Sequence, residues 1–354
     1  MKRILAATLL VAAAAFGPTS QAQTLGPAFA ADYSVFDLGS VPDLPSNYGG
    51  LTFLNDNTLL IGGAANQAGG RLYTIDVVRD GTGAISGFSG SAQLYGGPGS
   101  TIGAYNDGGV VFGPNGVLFT ARWPVNGLGQ TLPGSLSENK IIELGPLGVA
   151  SSLSALNFVP ATFGGAGLIK LVSYSGGQWY SASLTPDGTG TFDLTGLAQV
   201  DLDPVASGIQ NLPGGPEGFV YIAAGNPGFG LNGMLVADYL AGSVSAYEVD
   251  ALGNPLVSTR RTFLSGLTGA EGAAIDPVTG DFFFSTFGGG SRVVRVTGFT
   301  TPIPEPDTWA LMAMGLAGCL LAARRRGGAA AAGLTDAAHS RHRRLVTATS
   351  AAAG

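Results

Sequence analysis

Residues 271–284 read Glu271-Gly272-Ala273-Ala274-Ile275-Asp276-Pro277-Val278-Thr279-Gly280-Asp281-Phe282-Phe283-Phe284. A glycine-led apolar stretch, a polar turn with Asp, Pro and Gly, and a second apolar stretch predict two antiparallel strands joined tightly. The same order occurs earlier in the chain. Glu217-Gly218 leads 219–221, then comes the turn Asn226-Pro227-Gly228 and the stretches 234–237 and 243–249. Gly108-Gly109 leads 110–112, followed by Pro114-Asn115-Gly116, 117–121 and 140–144. Gly49-Gly50 leads 51–53, followed by Asn55-Asp56-Asn57, 58–61 and 71–77. A weaker copy starts near Gly165, with 168–173, 178–184 and 190–194. The starts at 49, 108, 165, 217 and 271 recur at intervals of 52 to 59 residues. Internal repetition at such a period, with three or four short strands per unit and no helical periodicity, predicts an all-β repeat architecture.

The fold expected is a β-propeller of five blades, with room for a degenerate sixth, plus one C-terminal membrane helix. A glycine at the start of each inner strand lets it approach a crowded axis, and blades stack to bury both faces of each sheet. The stretch 33–38 is free to pair with the last blade and close the ring. A sandwich or a β-solenoid is the competing Gly-rich β architecture.

Composition limits the chemistry. Eight of the 17 basic residues and three of the 23 acidic ones lie outside residues 23–303, which leaves nine against 20, a net charge near −11. Such a surface repels nucleic acid. The only cysteine, Cys319, and both histidines, His339 and His342, lie near the C-terminus. Disulfides, Ser–His–Asp triads and His- or Cys-ligated metals are therefore excluded for 23–303 taken alone. Neither Asp201-Leu202-Asp203 nor Asn55-Asp56-Asn57 has calcium-loop spacing. The glycine runs at 96–99 and 288–290 lack the Lys-Ser/Thr of a phosphate loop.

Carboxylates remain. Glu217 and Glu271 hold the same place in two repeats, whereas Gly49 and Gly108 stand there in two others. The repeat pattern, best over 271–296, resembles NHL-like and gluconolactonase-like propellers. That resemblance implies that a glutamate in this motif binds a divalent metal at the channel, Ca²⁺ or a similar hard cation that needs no histidine. The plain alternative is a turn carboxylate that caps local N–H groups or is solvated. Trp123, Trp179, Tyr180, Tyr105, Tyr221 and Phe229 sit near loops. They suit either a sugar-stacking rim or packing between blades.

The termini carry targeting signals. Lys2 and Arg3 precede the apolar run 4–16, and Ser20-Gln21-Ala22 offers small residues for cleavage, so 1–22 reads as a secretory signal peptide. At the other end stand Pro304-Glu305-Pro306, then Trp309 at the head of an uncharged run to Ala323, then Arg324-Arg325-Arg326. The run is short for a spanning helix, and the arginines mark its cytoplasmic end. This order resembles the PEP-CTERM sorting signal of Gram-negative bacteria. The resemblance implies recognition and cleavage by exosortase, a membrane transpeptidase, followed by a cell-surface or extracellular location linked to exopolysaccharide. The family pattern ends soon after the arginines; here residues 327–354 follow, Ala-rich and without apolar periodicity, and read as disordered. The domain expectation is thus signal peptide 1–22, repeated β domain 23–300, sorting signal with membrane helix 301–326, and tail 327–354. Two functions fit: a non-catalytic surface protein that binds polysaccharide or matrix protein, or a divalent-metal-dependent lactonase-type hydrolase resting on Glu217 and Glu271.

Overall fold

The computed structural model describes residues 22–300. The membrane helix expected within 301–326, the tail and the signal peptide up to residue 21 lie outside them. Among the described residues no helix is long and apolar enough to cross a membrane.

Five antiparallel sheets form a five-bladed propeller. The first blade is Leu51–Asn55, Thr58–Gly63, Arg71–Arg79 and Ile85–Leu94, from the axis outward. The second is Asn106–Phe112, Leu118–Arg122, Gly127–Thr131 and Lys140–Glu143. The third is Leu153–Phe158, Ile169–Ser173, Trp179–Pro186 and Phe192–Val200. The fourth is Pro216–Ile222, Gly233–Asp238, Ser243–Glu248 and Arg261–Ser265, with Thr24–Leu25 added outside. The fifth is Ala270–Ile275, Phe282–Thr286 and Val293–Thr297, completed by the N-terminal strand Ser34–Gly39. Val35 pairs with Val296 and Phe36 with Arg295, so the ring is closed by strand pairing between the two ends of the chain. No sixth sheet is present among the described residues.

The third blade corrects the weakest repeat. Its inner strand starts at Leu153, before the glycine at 165 that set the expected register. Gly127–Thr131 is likewise a strand that its glycines conceal. A Cβ on Gly129 would stand 2.4 Å from both Glu138 Oε1 and Thr120 Oγ1, so the packed side chains leave room for nothing larger.

Each seam between blades has its own apolar core, because alternate residues of a strand point to opposite faces. In Phe282-Phe283-Phe284 the outer two pack toward the fourth blade and Phe283 toward the first. Leu59 and Ile61 face the fifth blade, whereas Leu60 faces the second. A strand between two seams must therefore be apolar continuously. Bidentate Arg79–Asp276 hydrogen bonds, both 2.7 Å, tie the first blade to the fifth.

All inner strands run in one direction, so their starts gather at one end of the axis with the ends of the second strands. Pro216 pairs with Asp238, Ala270 with Thr286, and Asn106 with Arg122. Ala22 lies at this end, beside Gly266. Thr300 lies at the other end, where its N–H donates to Asn226 Oδ1 at 2.8 Å.

Candidate functional site: an acidic axis under an aromatic arc

The inner strands of the second, fourth and fifth blades share one irregularity. Their pairing slips between Asn106 and Val110, between Pro216 and Phe219, and between Ala270 and Ala273. Such β-bulges re-aim side chains. They turn Asp107, Glu217 and Glu271 into one cluster, in which one carboxylate oxygen from each lies within 4.8 Å of the other two. The structure therefore brings the two glutamates together and adds an aspartate that the sequence reading missed. The second blade carries one residue more in its bulge than the fourth, so the repeat pattern sets Gly108 rather than Asp107 level with Glu217. The visible signal is the acid–Gly step itself: Asp107-Gly108, Glu217-Gly218, Glu271-Gly272. Glycine follows because the axis is crowded: a Cβ on Gly218 would lie 2.5 Å from Ala273 N.

All three acids are buried. Asp107 Oδ2, Glu217 Oε2 and both Glu271 carboxylate oxygens have no donor. Acceptors that face one another need a proton or a cation between them. Burial pushes the Asp107 carboxyl up to about 7. Burial, then repulsion from the neighbouring acids, holds Glu217 and Glu271 well above the usual carboxylate range. Asn66, from the first blade, fixes the other side of Asp107. With the Asn66 amide turned so that its nitrogen faces the acid, as the surrounding acceptors require, it donates to Asp107 Oδ1 at 2.8 Å and to the Asn106 carbonyl at 3.2 Å. The equivalent place in the third blade is Ser154, whose hydroxyl donates to the Pro216 carbonyl at 2.7 Å.

The donor set fits a hard divalent cation. Carboxylate oxygens are the ligands of Ca²⁺, and the four donorless ones would supply a large share of the roughly six to eight oxygens it takes. Asp107, Glu217 and Glu271 would hold it.

Above this floor runs an arc of rings. The residue directly after each second strand donates its N–H to a carbonyl two residues ahead of the cluster position. The pairs are Trp123 to Tyr105, Tyr174 to Ser152, Tyr239 to Gly215 and Phe287 to Gly269, at 2.8–3.0 Å. In the first blade that residue is Ala64, bonded to Ser46. The four aromatics meet edge to face in sequence, with centroids 6.4, 5.8 and 5.9 Å apart. All four are half-buried. Of the aromatics picked from sequence, Trp123 belongs to the arc and Tyr105 adjoins it under Arg122. Trp179, Tyr180, Tyr221 and Phe229 are buried in the seams, so packing explains them.

Residues 302–326 match the family model of the PEP-CTERM protein-sorting motif. This is an exported protein. The match contains Pro304, Glu305, Pro306, Trp309 and Arg324–Arg326, and such motifs imply transient membrane anchoring during sorting. No curated protein matches the sequence significantly. Solved structures with a similar chain path include a streptogramin B lyase, 11% identical over 76% of this chain and 98% of that one, TM-score 0.37. The PQQ-bound aldose sugar dehydrogenase of Streptomyces coelicolor is 11% identical over 77% and 99%, TM-score 0.37. The PQQ domain of pyranose dehydrogenase from Coprinopsis cinerea is 10% identical over 78% and 97%, TM-score 0.40. The five-bladed ring is established by the strand pairing itself.

Proposed function

We propose that this exported propeller is a non-catalytic surface protein whose axis is clamped by a divalent cation, Ca²⁺ foremost, on Asp107, Glu217 and Glu271. The carrying observation is the set of four donorless carboxylate oxygens closed off from solvent. A structural metal centre is closed in this way, whereas a catalytic one keeps a position open to substrate, as zinc sites illustrate. The cation would join three blades that otherwise meet as like charges. After sorting by an exosortase-type transpeptidase acting at Pro304-Glu305-Pro306, the body acts at the cell surface or outside the cell by binding. The sorting motif supports a polysaccharide or matrix-protein ligand.

The convergence of Glu217 and Glu271 also favours the lactonase-type hydrolase as a second reading, because a carboxylate-held cation can polarise a carbonyl. One experiment addresses both. Protein stripped with EGTA is titrated with Ca²⁺ while thermal unfolding and lactone hydrolysis are followed. A rise in Tm of several degrees without hydrolysis supports the clamp. Turnover that appears with Ca²⁺ and disappears in Glu271→Gln replaces the clamp with the hydrolase. An unchanged Tm and no bound cation reject both.

A further inference from the structure

We propose that the arc of Trp123, Tyr174, Tyr239 and Phe287 is a binding site for an organic ammonium head group, quaternary or N-methylated. The site extends the reading of the axis as an anionic centre and rests on it.

Three observations carry the proposal. The rings come from four successive blades, and each is placed by the same backbone hydrogen bond at the same end of the axis. Their edge-to-face contacts, with interplanar angles of 76°, 81° and 68°, lock them against one another before any ligand arrives. Preorganised, half-exposed rings spend little entropy on binding. The arc is also open on one side, because the first blade supplies Ala64 where the others supply a ring. A head group can thus enter from the first blade without displacing an aromatic side chain.

Charge selects the occupant. The floor beneath the arc holds three carboxyl groups; a divalent cation that displaced their protons would leave a formal charge of −1. The field reaches the rings. Burial raises the Tyr174 and Tyr239 hydroxyls, and the charges of Glu217, Glu271 and Asp107 push both further in the same direction. A cation among these rings gains from that field and from the ring quadrupoles. Of the basic side chains at this end, Arg122 reaches Glu138 at 3.4 Å, Arg292 reaches Asp37 at 2.6 Å, and Arg71 donates to the Ala68 and Gly70 carbonyls. A primary amine would surrender N–H hydrogen bonds to water that ring faces replace poorly; a methylated ammonium loses few.

The test compares choline with 3,3-dimethyl-1-butanol, which has the same shape without the charge. Each is titrated into the full-length chain in maltoside detergent, in EGTA and again in excess Ca²⁺, by calorimetry and tryptophan fluorescence. Choline is expected to bind about tenfold or more tightly than the neutral isostere. Tyr239→Leu, with unchanged circular dichroism, is expected to lose most of that preference. Equal binding of the two probes would reduce the arc to an apolar patch and overturn the proposal, as would binding of neither, or a preference for a neutral sugar. Failure of Ca²⁺ to bind would remove the clamp alone, because the EGTA titration judges the arc by itself.

Discussion

Asp107, Glu217 and Glu271 are costly when left without a counter-charge, and this makes their pH dependence diagnostic. In cation-free protein their carboxyls titrate above the unfolded-state range, Asp107 at about 7. The folded state then binds more protons than the unfolded chain from about pH 4 upward, to about 7 at Asp107 and through the raised range of the two glutamates, so stability must fall as pH rises there. With Ca²⁺ present protons compete for the same oxygens, and the increment in Tm due to Ca²⁺ is expected to grow over the same range. Glu271→Gln removes one of the repelling charges at nearly constant volume. It is expected to flatten the pH slope in EGTA without loss of stability, and to abolish most of the Ca²⁺ increment. Thermal unfolding at pH 5, 6, 7 and 8, with and without Ca²⁺, measures both signs. The two glutamates were legible in sequence because acid and glycine sit alike in their repeats. Asp107 was not, because an extra bulge residue shifts its repeat by one. The arc was legible only at Trp123, since a residue that follows a strand end is marked by pairing and not by local sequence.

At the scale of the strand and blade, the glycine-led inner strands and the continuous apolar second strands were readable, since burial on both faces leaves a compositional trace. The inner strand of the third blade was not readable, because Leu153–Phe158 lacks the leading glycine. Closure of the ring depends on the seam between the first and fifth blades, where Arg79 forms its bidentate pair with a fully buried Asp276 side chain. Arg79→Met leaves that carboxylate unpaired and is expected to cost about 3–5 kcal/mol in urea unfolding. The double variant Arg79→Met with Asp276→Leu is expected to recover a large part, because the stranded charge and not the missing attraction dominates the loss.

The whole molecule is unevenly stitched. The core between the first and second blades contains Leu60, Leu72, Ile102, Val110 and Leu118, while the other four seams bury more than twice as many residues. Local opening follows the smallest buried apolar area. Amide hydrogen exchange is therefore expected to be fastest, among the sheet strands, in Leu118–Arg122 and Arg71–Arg79, and slowest in Gly233–Asp238. The seam that opens first is also the one that Asn66 bridges to Asp107, so Ca²⁺ is expected to slow exchange there most.

The alternation of strand directions leaves Thr300 at the end of the axis opposite the acidic cluster and the rings. A tether that begins beyond Thr300 leaves the far end of the axis clear. Cleavage there would remove chain only from the opposite side, so the same receiving surface would serve before and after release.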